Sequence, residues 1–279
     1  MSRRRRAGFT LVELLVALVI FVMVAASLYR VLNVSQRTSR TQTEKAAMQG
    51  SLRTGLQLAL SEIQELWTDQ GVGSAITAMS ATSMSYDAMR GIGMTCEAPT
   101  VTSIKLQRDT WTGLLAPAPN QGVYLFDEGP SATSENDDLW RVATITSVTN
   151  STCPDGSAAI VLTVNDLVNV DNVKFPGPAR TYEPMQLGLV ASGGRNWLGI
   201  ASTGAALTPL AGPLASTGNA LLLEYYNRDG NTTTNMSSVK SIILRLYGET
   251  DRMANENVSS TTTLLKDSMI VRVQLRNGR

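Results

Sequence analysis

The chain has 279 residues, room for one large domain or two small ones beyond any anchor. Its formal net charge is +1 with 17% charged residues, and four of its 24 Lys and Arg sit in one short run, so no global field points to nucleic acid. Histidine is absent, which removes the Ser-His-Asp triad, the Cys-His dyad and every His-containing zinc site; two well-separated cysteines make no four-thiolate site, and the chain does not read as an enzyme.

The first element is the most informative. Arg3 to Arg6 run through Ala7 and Gly8 into an apolar segment that continues to about Leu32. At about 1.5 Å rise per residue, such a segment crosses the ~30 Å hydrocarbon core of a bilayer as a helix. One carboxylate, Glu13, interrupts it at roughly +2.5–3.5 kcal/mol on insertion scales, and an acid kept there points to a partner group. The arginines stay on the cytoplasmic side, which places the N-terminus inside and everything after about Leu32 outside, in a periplasm or its equivalent. A secretory signal would have a shorter apolar region and a small-residue cleavage site; Ala25-Ala26-Ser27 mimics that site, but Glu13 is out of place in an ordinary signal. A twin-arginine signal needs more than paired arginines. A plain single-pass anchor leaves Glu13 unexplained.

The string Gly8-Phe9-Thr10-Leu11-Val12-Glu13-Leu14-Leu15-Val16-Ala17 resembles the class III signal of type IV prepilins and type II secretion pseudopilins. The resemblance implies a leader of residues 1–8, removed after Gly8 by a membrane aspartyl peptidase that then N-methylates the new terminus, Phe9. A small Gly8 suits the cut, because a bulky residue there would obstruct access to the backbone. Loss of Arg3 to Arg6 leaves a mildly acidic mature chain. Glu13, the fifth mature residue, is implied as the assembly contact that pairs with a neighbouring subunit's terminal amine. In a low-dielectric core that ion pair attracts strongly, while an unpaired Glu is penalised, so the pair sets register between subunits. The alternative is a Glu13 that snorkels or stays protonated. The implied partners are other major and minor pilins, the prepilin peptidase and methylase, and an inner-membrane assembly platform.

The helix is expected to continue past the membrane. Residues 9–32 form the transmembrane or filament-core part, and residues 33–70 an amphipathic continuation. Leu52, Leu56, Ala59, Leu60, Ile63, Leu66 and Trp67 recur at offsets of three and four on one face. Gln57, Ser61, Glu62, Gln64 and Glu65 fall on or near the other, and the helix should end near Asp69-Gln70-Gly71. Many pilin-like proteins carry a helix-kinking proline; none occurs between Phe9 and Trp67 here. Gly50 and Gly55 are weak helix positions, each costing about 1 kcal/mol relative to Ala.

Residues 71–279 read as a periplasmic, β-rich globular head, which makes the whole an α+β fold: a long N-terminal helix packed on an antiparallel sheet. From 71 to 95 the texture predicts loops and a short helix over 84–89. Alternating or compact apolar runs then predict antiparallel strands over 101–106, 123–126, 139–148 and 159–164. The Pro- and Gly-rich section 171–213 carries short strands at 186–190 and 197–200. Residues 221–226 run into the turn signal Asn227-Arg228-Asp229-Gly230-Asn231, and strands follow over 239–246 and 268–275. No internal repeat is visible.

The head narrows the resemblance by pattern. Leu139-Trp140-Arg141 after Val123-Tyr124-Leu125, Tyr225-Tyr226 before the Asp-Gly turn, and the terminal Val271-Arg272-Val273-Gln274-Leu275 are similar to PilW-type minor pilins. Secretion pseudopilins of the GspJ type share the layout. The implied role is a minor pilin held in the inner membrane by a single pass, then carried into a pilus at the cell surface that serves adhesion, twitching motility or DNA uptake. A GspJ-like pseudopilin of type II secretion is the second reading, and a membrane-anchored binding module that never polymerises the third. No cofactor is implied.

The remaining constellations carry less. Cys96 and Cys153 lie in the exported part, where disulfides persist; pairing them would contribute about 3–4 kcal/mol in the chain-entropy model, and two unpaired buried thiols are the alternative. Asp127, Glu128, Glu135, Asp137 and Asp138 flank a polar loop with enough oxygens for calcium, but their spacing matches no EF-hand, and an acidic solvated loop is the commoner outcome. Trp111, Trp140 and Trp197 suit a glycan or a partner, with core packing the commoner role. The polar segments 231–238 and 257–263 read as loops.

Overall fold

The computed structural model describes residues 10–69, 73–130, 139–165, 167–216, 219–250, 264–275 and 277–278. The chain divides into two compact units, Met1–Gln49 with Thr250–Leu265, and Gly50–Glu249 with Lys266–Arg279. One helix, α1 (Leu11–Ile63), contributes to both. No proline interrupts it, and none of its most apolar window is buried inside the protein. Within the first unit, Thr250 and Leu265 exchange hydrogen bonds: the Thr250 N–H donates to the Leu265 carbonyl at 2.9 Å, and the Leu265 N–H to Thr250 Oγ1 at 3.0 Å.

In the second unit the strands, in chain order, are β1 (Trp67–Asp69), β2 (Gly73–Ser74), β3 (Ile76–Met79), β4 (Ser83–Met94), β5 (Ser103–Gln107), β6 (Thr112–Gly113), β7 (Gly122–Asp127) and β8 (Leu139–Thr152). They continue with β9 (Ala158–Asn165), β10 (Pro178–Ser192), β11 (Arg195–Ser202), β12 (Thr208–Leu214), β13 (Leu221–Tyr226), β14 (Ser241–Glu249), β15 (Lys266–Gln274) and β16 (Asn277–Gly278). β16, β1 and β2 make a small sheet in which β1 and β16 run parallel. The rest form one antiparallel sheet ordered β13-β14-β12-β11-β10-β7-β8-β9-β5, with β15 added beside β14 and β3, β4 and β6 branching from β10. This is the α+β architecture expected of the sequence.

The strand β10 joins the sheet's regions. Its first residues pair with β7, its last with β11, and nearly its whole length with β4. A bulge at Thr181/Tyr182 lets one strand serve these neighbours. Alternation along β5, β7, β8 and β9 points Ile104, Leu106, Val123, Leu125, Ala143, Ile145, Leu162 and Val164 into one apolar cluster. Cys96 and Cys153 are joined by a disulfide across it, with Cα atoms 5.8 Å apart, tying the stretch after β4 to the β8–β9 turn.

Three expectations need correction. First, α1 ends at Ile63 and not near residue 70. The chain turns at Leu66, which is buried, so that Trp67 and Thr68 can pair with Asn277 and Gly278. Second, residues 84–89 form no helix; they lie within the strand β4, whose partner β10 supplies the hydrogen bonds that override the helix-tolerant Met, Ala and Ser content. Third, the Pro- and Gly-rich section holds two of the sheet's longer strands where only short ones were expected. The Asp-Gly turn does form, with Asn227 Oδ1 accepting from Asp229 and Asn231, but it opens a longer connection from Tyr226 to Ser241 and makes no two-residue hairpin.

The helix residues that belong with the sheet bury Leu52, Leu56, Ala59 and Ile63, with Leu60 half-buried, on the expected face. Two small contacts set how closely they approach. Ser51 Oγ donates to the Gly212 carbonyl at 2.8 Å and accepts from the Gly212 N–H at 3.0 Å. A Cβ on Gly55 would lie 2.1 Å from the Ala211 Cβ. Gly55→Ala should therefore destabilise the protein by about 1–2 kcal/mol even though Ala is the better helix former, because overpacking outweighs the propensity gain. Denaturant unfolding of the full chain in detergent checks this, with Gly50→Ala, which meets no atom within 4 Å, stabilising by comparison.

Candidate functional site

The apolar half of α1 is built for a non-aqueous neighbour. Leu11, Leu14, Leu15, Leu18, Phe21, Met23, Leu28 and Tyr29 are all exposed, on every side of the helix. Ser27 Oγ donates to the Val24 carbonyl at 2.8 Å, an i−3 bond that lets a hydroxyl sit in an apolar medium.

At the start of this helix Thr10 and Glu13 form a pair that the sequence reading passed over. Thr10 precedes the first helical residue; its carbonyl accepts from the Leu14 N–H at 3.2 Å and its Oγ1 from the Glu13 N–H at 3.3 Å. That is N-cap geometry, and Glu three residues on completes the composition of a capping box. The Thr-x-x-Glu spacing was available in the sequence as a start signal. Glu13 itself is exposed, in the first turn, where the helix dipole favours a carboxylate. Gly8 and Phe9 lie outside the described residues.

Within the head, α1 is fastened by charge. Arg90 on β4 is buried; its Nη1 donates to both Glu62 oxygens at 3.1 and 3.3 Å, and its Nε to Glu183 Oε2 on β10 at 3.1 Å. Glu62 therefore does not belong to a solvent face. Glu183 also accepts from Ser202 Oγ at 2.6 Å, and this bond, with Arg90 beside it, holds its carboxyl below the usual range. One residue from the opposite face of β4, Asp87 accepts from the Tyr124 hydroxyl at 2.6 Å; burial pushes its carboxyl up, and the Tyr124 bond only partly offsets this. Tyr124 stacks on Tyr182 at 4.4 Å and meets the edge of Trp67 at 5.5 Å.

The lesser candidates resolve into structural roles. Asp127 is fully buried, paired to Arg141 Nε at 2.5 Å and accepting from the Gly129 N–H at 2.8 Å, while Glu128 pairs with Lys174 at 2.7 Å. Both carboxylates are thus engaged by protein groups, and Asp127 is buried where a solvated loop was the expected outcome; Glu135, Asp137 and Asp138, like segment 257–263, lie outside the described residues. Among the described residues no group of three or more acidic or cysteine side chains is placed to hold a metal. Trp111 fills the space beside Gly91 and Gly93, Trp140 lies under the Arg180 guanidinium at 4.8 Å, and Trp197 covers Gly212 and donates to the Ser192 carbonyl at 3.0 Å. A cleft of about 570 Å³ lined by Met89, Ile92, Leu114 and Arg180 presents apolar walls and a cation.

Comparison with known proteins bears on the N-terminus. Residues 3–29 match the family model described as the prokaryotic N-terminal methylation motif. The chain is 34% identical over 65 residues to type II secretion system protein J of Vibrio cholerae serotype O1. That similarity covers 23% of this chain and 29% of the relative's length. No solved structure matches. The N-terminal segment is therefore a class III signal of the type IV pilin and pseudopilin kind, and with the apolar helix it fits a protein anchored in an inner membrane.

Two outcomes follow. Thr10→Ala should loosen the first turn of α1 by about 0.5–2 kcal/mol, read as faster amide exchange at Glu13 and Leu14 in the detergent-solubilised chain. Asp87 binds its proton to higher pH when folded than when unfolded, so its contribution to stability is greatest at low pH and falls as pH rises through the folded value. The depressed Glu183 acts in the opposite sense, its contribution present above the unfolded carboxylate range and lost on acidification. Asp87→Asn should accordingly raise the unfolding midpoint at neutral pH, with the gain shrinking on acidification toward the ordinary carboxylate range; a gain unchanged by pH would contradict this assignment.

Proposed function

We propose that this protein is a minor subunit of a type IV pilus-like filament. It is cut after Gly8, N-methylated at Phe9, and drawn from the inner membrane into the filament through α1. The observation that carries the reading is the methylation motif over residues 3–29 leading directly into a helix that is apolar on all sides and burdened with one acid, Glu13. A solvent-exposed apolar helix of this length is not stable in water and needs lipid or neighbouring helices around it. In this reading Glu13 pairs with the terminal amine of a neighbouring subunit, and the leader arginines keep the N-terminus cytoplasmic until processing. Other pilins, the peptidase and an assembly platform are its partners.

Two machines fit. The sequence pattern of the head supports a PilW-type subunit that primes or caps a pilus. The similarity to a type II secretion system protein J supports a minor pseudopilin of a secretion system. Either use is structural, with no catalytic step assigned to the chain.

Mass spectrometry of the mature N-terminus tests the reading: a chain beginning at methylated Phe9 is expected, and an intact leader or a cut after Ala25 or Ser27 overturns it. Glu13→Ala should leave the protein processed and membrane-bound while sharply reducing its incorporation into filaments. Undiminished incorporation would leave a non-polymerising anchored module. Deletion of the gene distinguishes the two machines, costing surface pili in one case and secreted proteins in the other.

A further inference from the structure

Among the described residues, one long strand edge of the sheet has no pairing partner. The outer edge of β13 is occupied, with the Leu223 N–H bonded to the Ala81 carbonyl at 2.8 Å and the Thr233 N–H to the Tyr225 carbonyl at 2.9 Å. The outer edge of β5 is likewise covered, by Cys96 bonded to the Lys105 carbonyl and the Thr95–Leu106 bridge. β15 pairs along its full length with β14, and among the described residues no strand pairs with its other side. Exposed edges of this length are templates for a further strand.

The direction of each backbone group follows from the ladder. The Leu275 N–H donates to the Lys240 carbonyl, which makes 275/240 a bonded pair in the register that sets Ile242 against Val273 and Leu244 against Val271. Bonded and non-bonded pairs alternate in an antiparallel ladder. Ser268, Ile270, Arg272 and Gln274 therefore turn their N–H and C=O groups away from β14. The Ser268 N–H agrees, being turned to Asp267 Oδ1 at 2.9 Å. Ile270 is 57% exposed. Arg272, the charge best placed to repel an incoming strand, is drawn back onto its own sheet: its guanidinium donates to Ser241 Oγ at 3.0 and 3.2 Å and lies over the Tyr226 ring.

We propose that this edge pairs antiparallel with the same edge of a second copy of the chain, about a two-fold axis at Ile270. Among registers that bring outward-turned residues opposite one another, this one alone overlaps the whole of β15. It sets Ile270 against Ile270, Met269 against Val271, Ser268 against Arg272, Asp267 against Val273 and Lys266 against Gln274, so no like charges face each other. A two-fold centred on Arg272 would oppose two guanidinium groups. The Ile270 residues exchange a reciprocal pair of hydrogen bonds, and each Arg272 N–H meets the other copy's Ser268 carbonyl, while the Ser268 N–H stays on Asp267 Oδ1. The contact is isologous and closes at two copies.

The full chain in detergent tests this by light scattering with the micelle mass subtracted. A dimer is expected, and Ile270→Pro should convert it to monomer with an unchanged circular dichroism spectrum, since the lost N–H makes no bond to β14. Opposed residues of a bonded pair lie about 5.5 Å apart at Cα, within disulfide reach. Cys96 and Cys153 are already joined, so Ile270→Cys introduces one free thiol and should give a reducible covalent dimer on mild oxidation. Ser268→Cys, about 13 Å from its mate in this register, should not. A monomeric wild-type chain overturns the proposal, whether its β15 amides exchange freely or are shielded by another segment of the chain. So does a dimer indifferent to Ile270→Pro, or cross-linking as efficient from Ser268→Cys as from Ile270→Cys.

Discussion

Arg90 is the residue on which the head's arrangement depends. It reaches one carboxylate from the end of α1 and another from β10 while its own strand, β4, lies against both. A guanidinium taken out of water costs several kcal/mol unless its donors find acceptors, and the fork geometry of Arg lets Nη1 reach Glu62 and Nε reach Glu183 at the same time. The cluster also explains why α1 stops where it does. Ile63 and Leu66 are driven under the sheet, Glu62 is held at its surface, and the chain must leave the helical path at Gln64 and Glu65 to satisfy both. Beside this cluster the Tyr86 hydroxyl is buried with no hydrogen-bond partner among the described residues.

The two parts of α1 meet different physical demands, and its composition changes accordingly. Where the helix is exposed all round, Val and Ile are tolerated despite their modest helix propensity, because an apolar surround penalises an unbonded backbone more than it penalises a β-branched side chain. Where it lies on the sheet, small residues at Ser51 and Gly55 bring backbone close to Gly212 and Ala211. An ordinary stripe of large apolar residues would hold a helix at a greater distance.

Much of this was legible in the sequence. The motif from Gly8 to Glu13, the stripe from Leu52 to Ile63, and most of the strands stand out because their periodicity is undisturbed. The misreadings have a common cause in polar residues placed inside. Asp87 and Arg90 break the alternation of β4, so a twelve-residue strand looked like loop and helix. Glu62 looked solvated because its partner, Arg90, lies 28 residues away in sequence. In β10, residues that normally mark loops sit at the strand's start, as Pro178, and within its ladder, as Pro184 opposite Asp87 and Gly188 opposite Ser83, where the neighbours and not the local sequence decide the conformation. Thr10 was missed for the opposite reason: its signal is local and complete, but the apolar run after it drew attention to the membrane and away from the helix terminus.

The position of β10 in the chain has a consequence for the order in which the head assembles. β4 emerges early, yet nearly every residue of it pairs with a strand that begins at Pro178, and β1 closes only on Asn277 near the chain's end. Pairings so distant in sequence form slowly, since the closure entropy must be met before the contacts reward it. A head wired this way cannot close its sheets before its last strands are available, so the early strands stay without their partners for as long as those strands are held back.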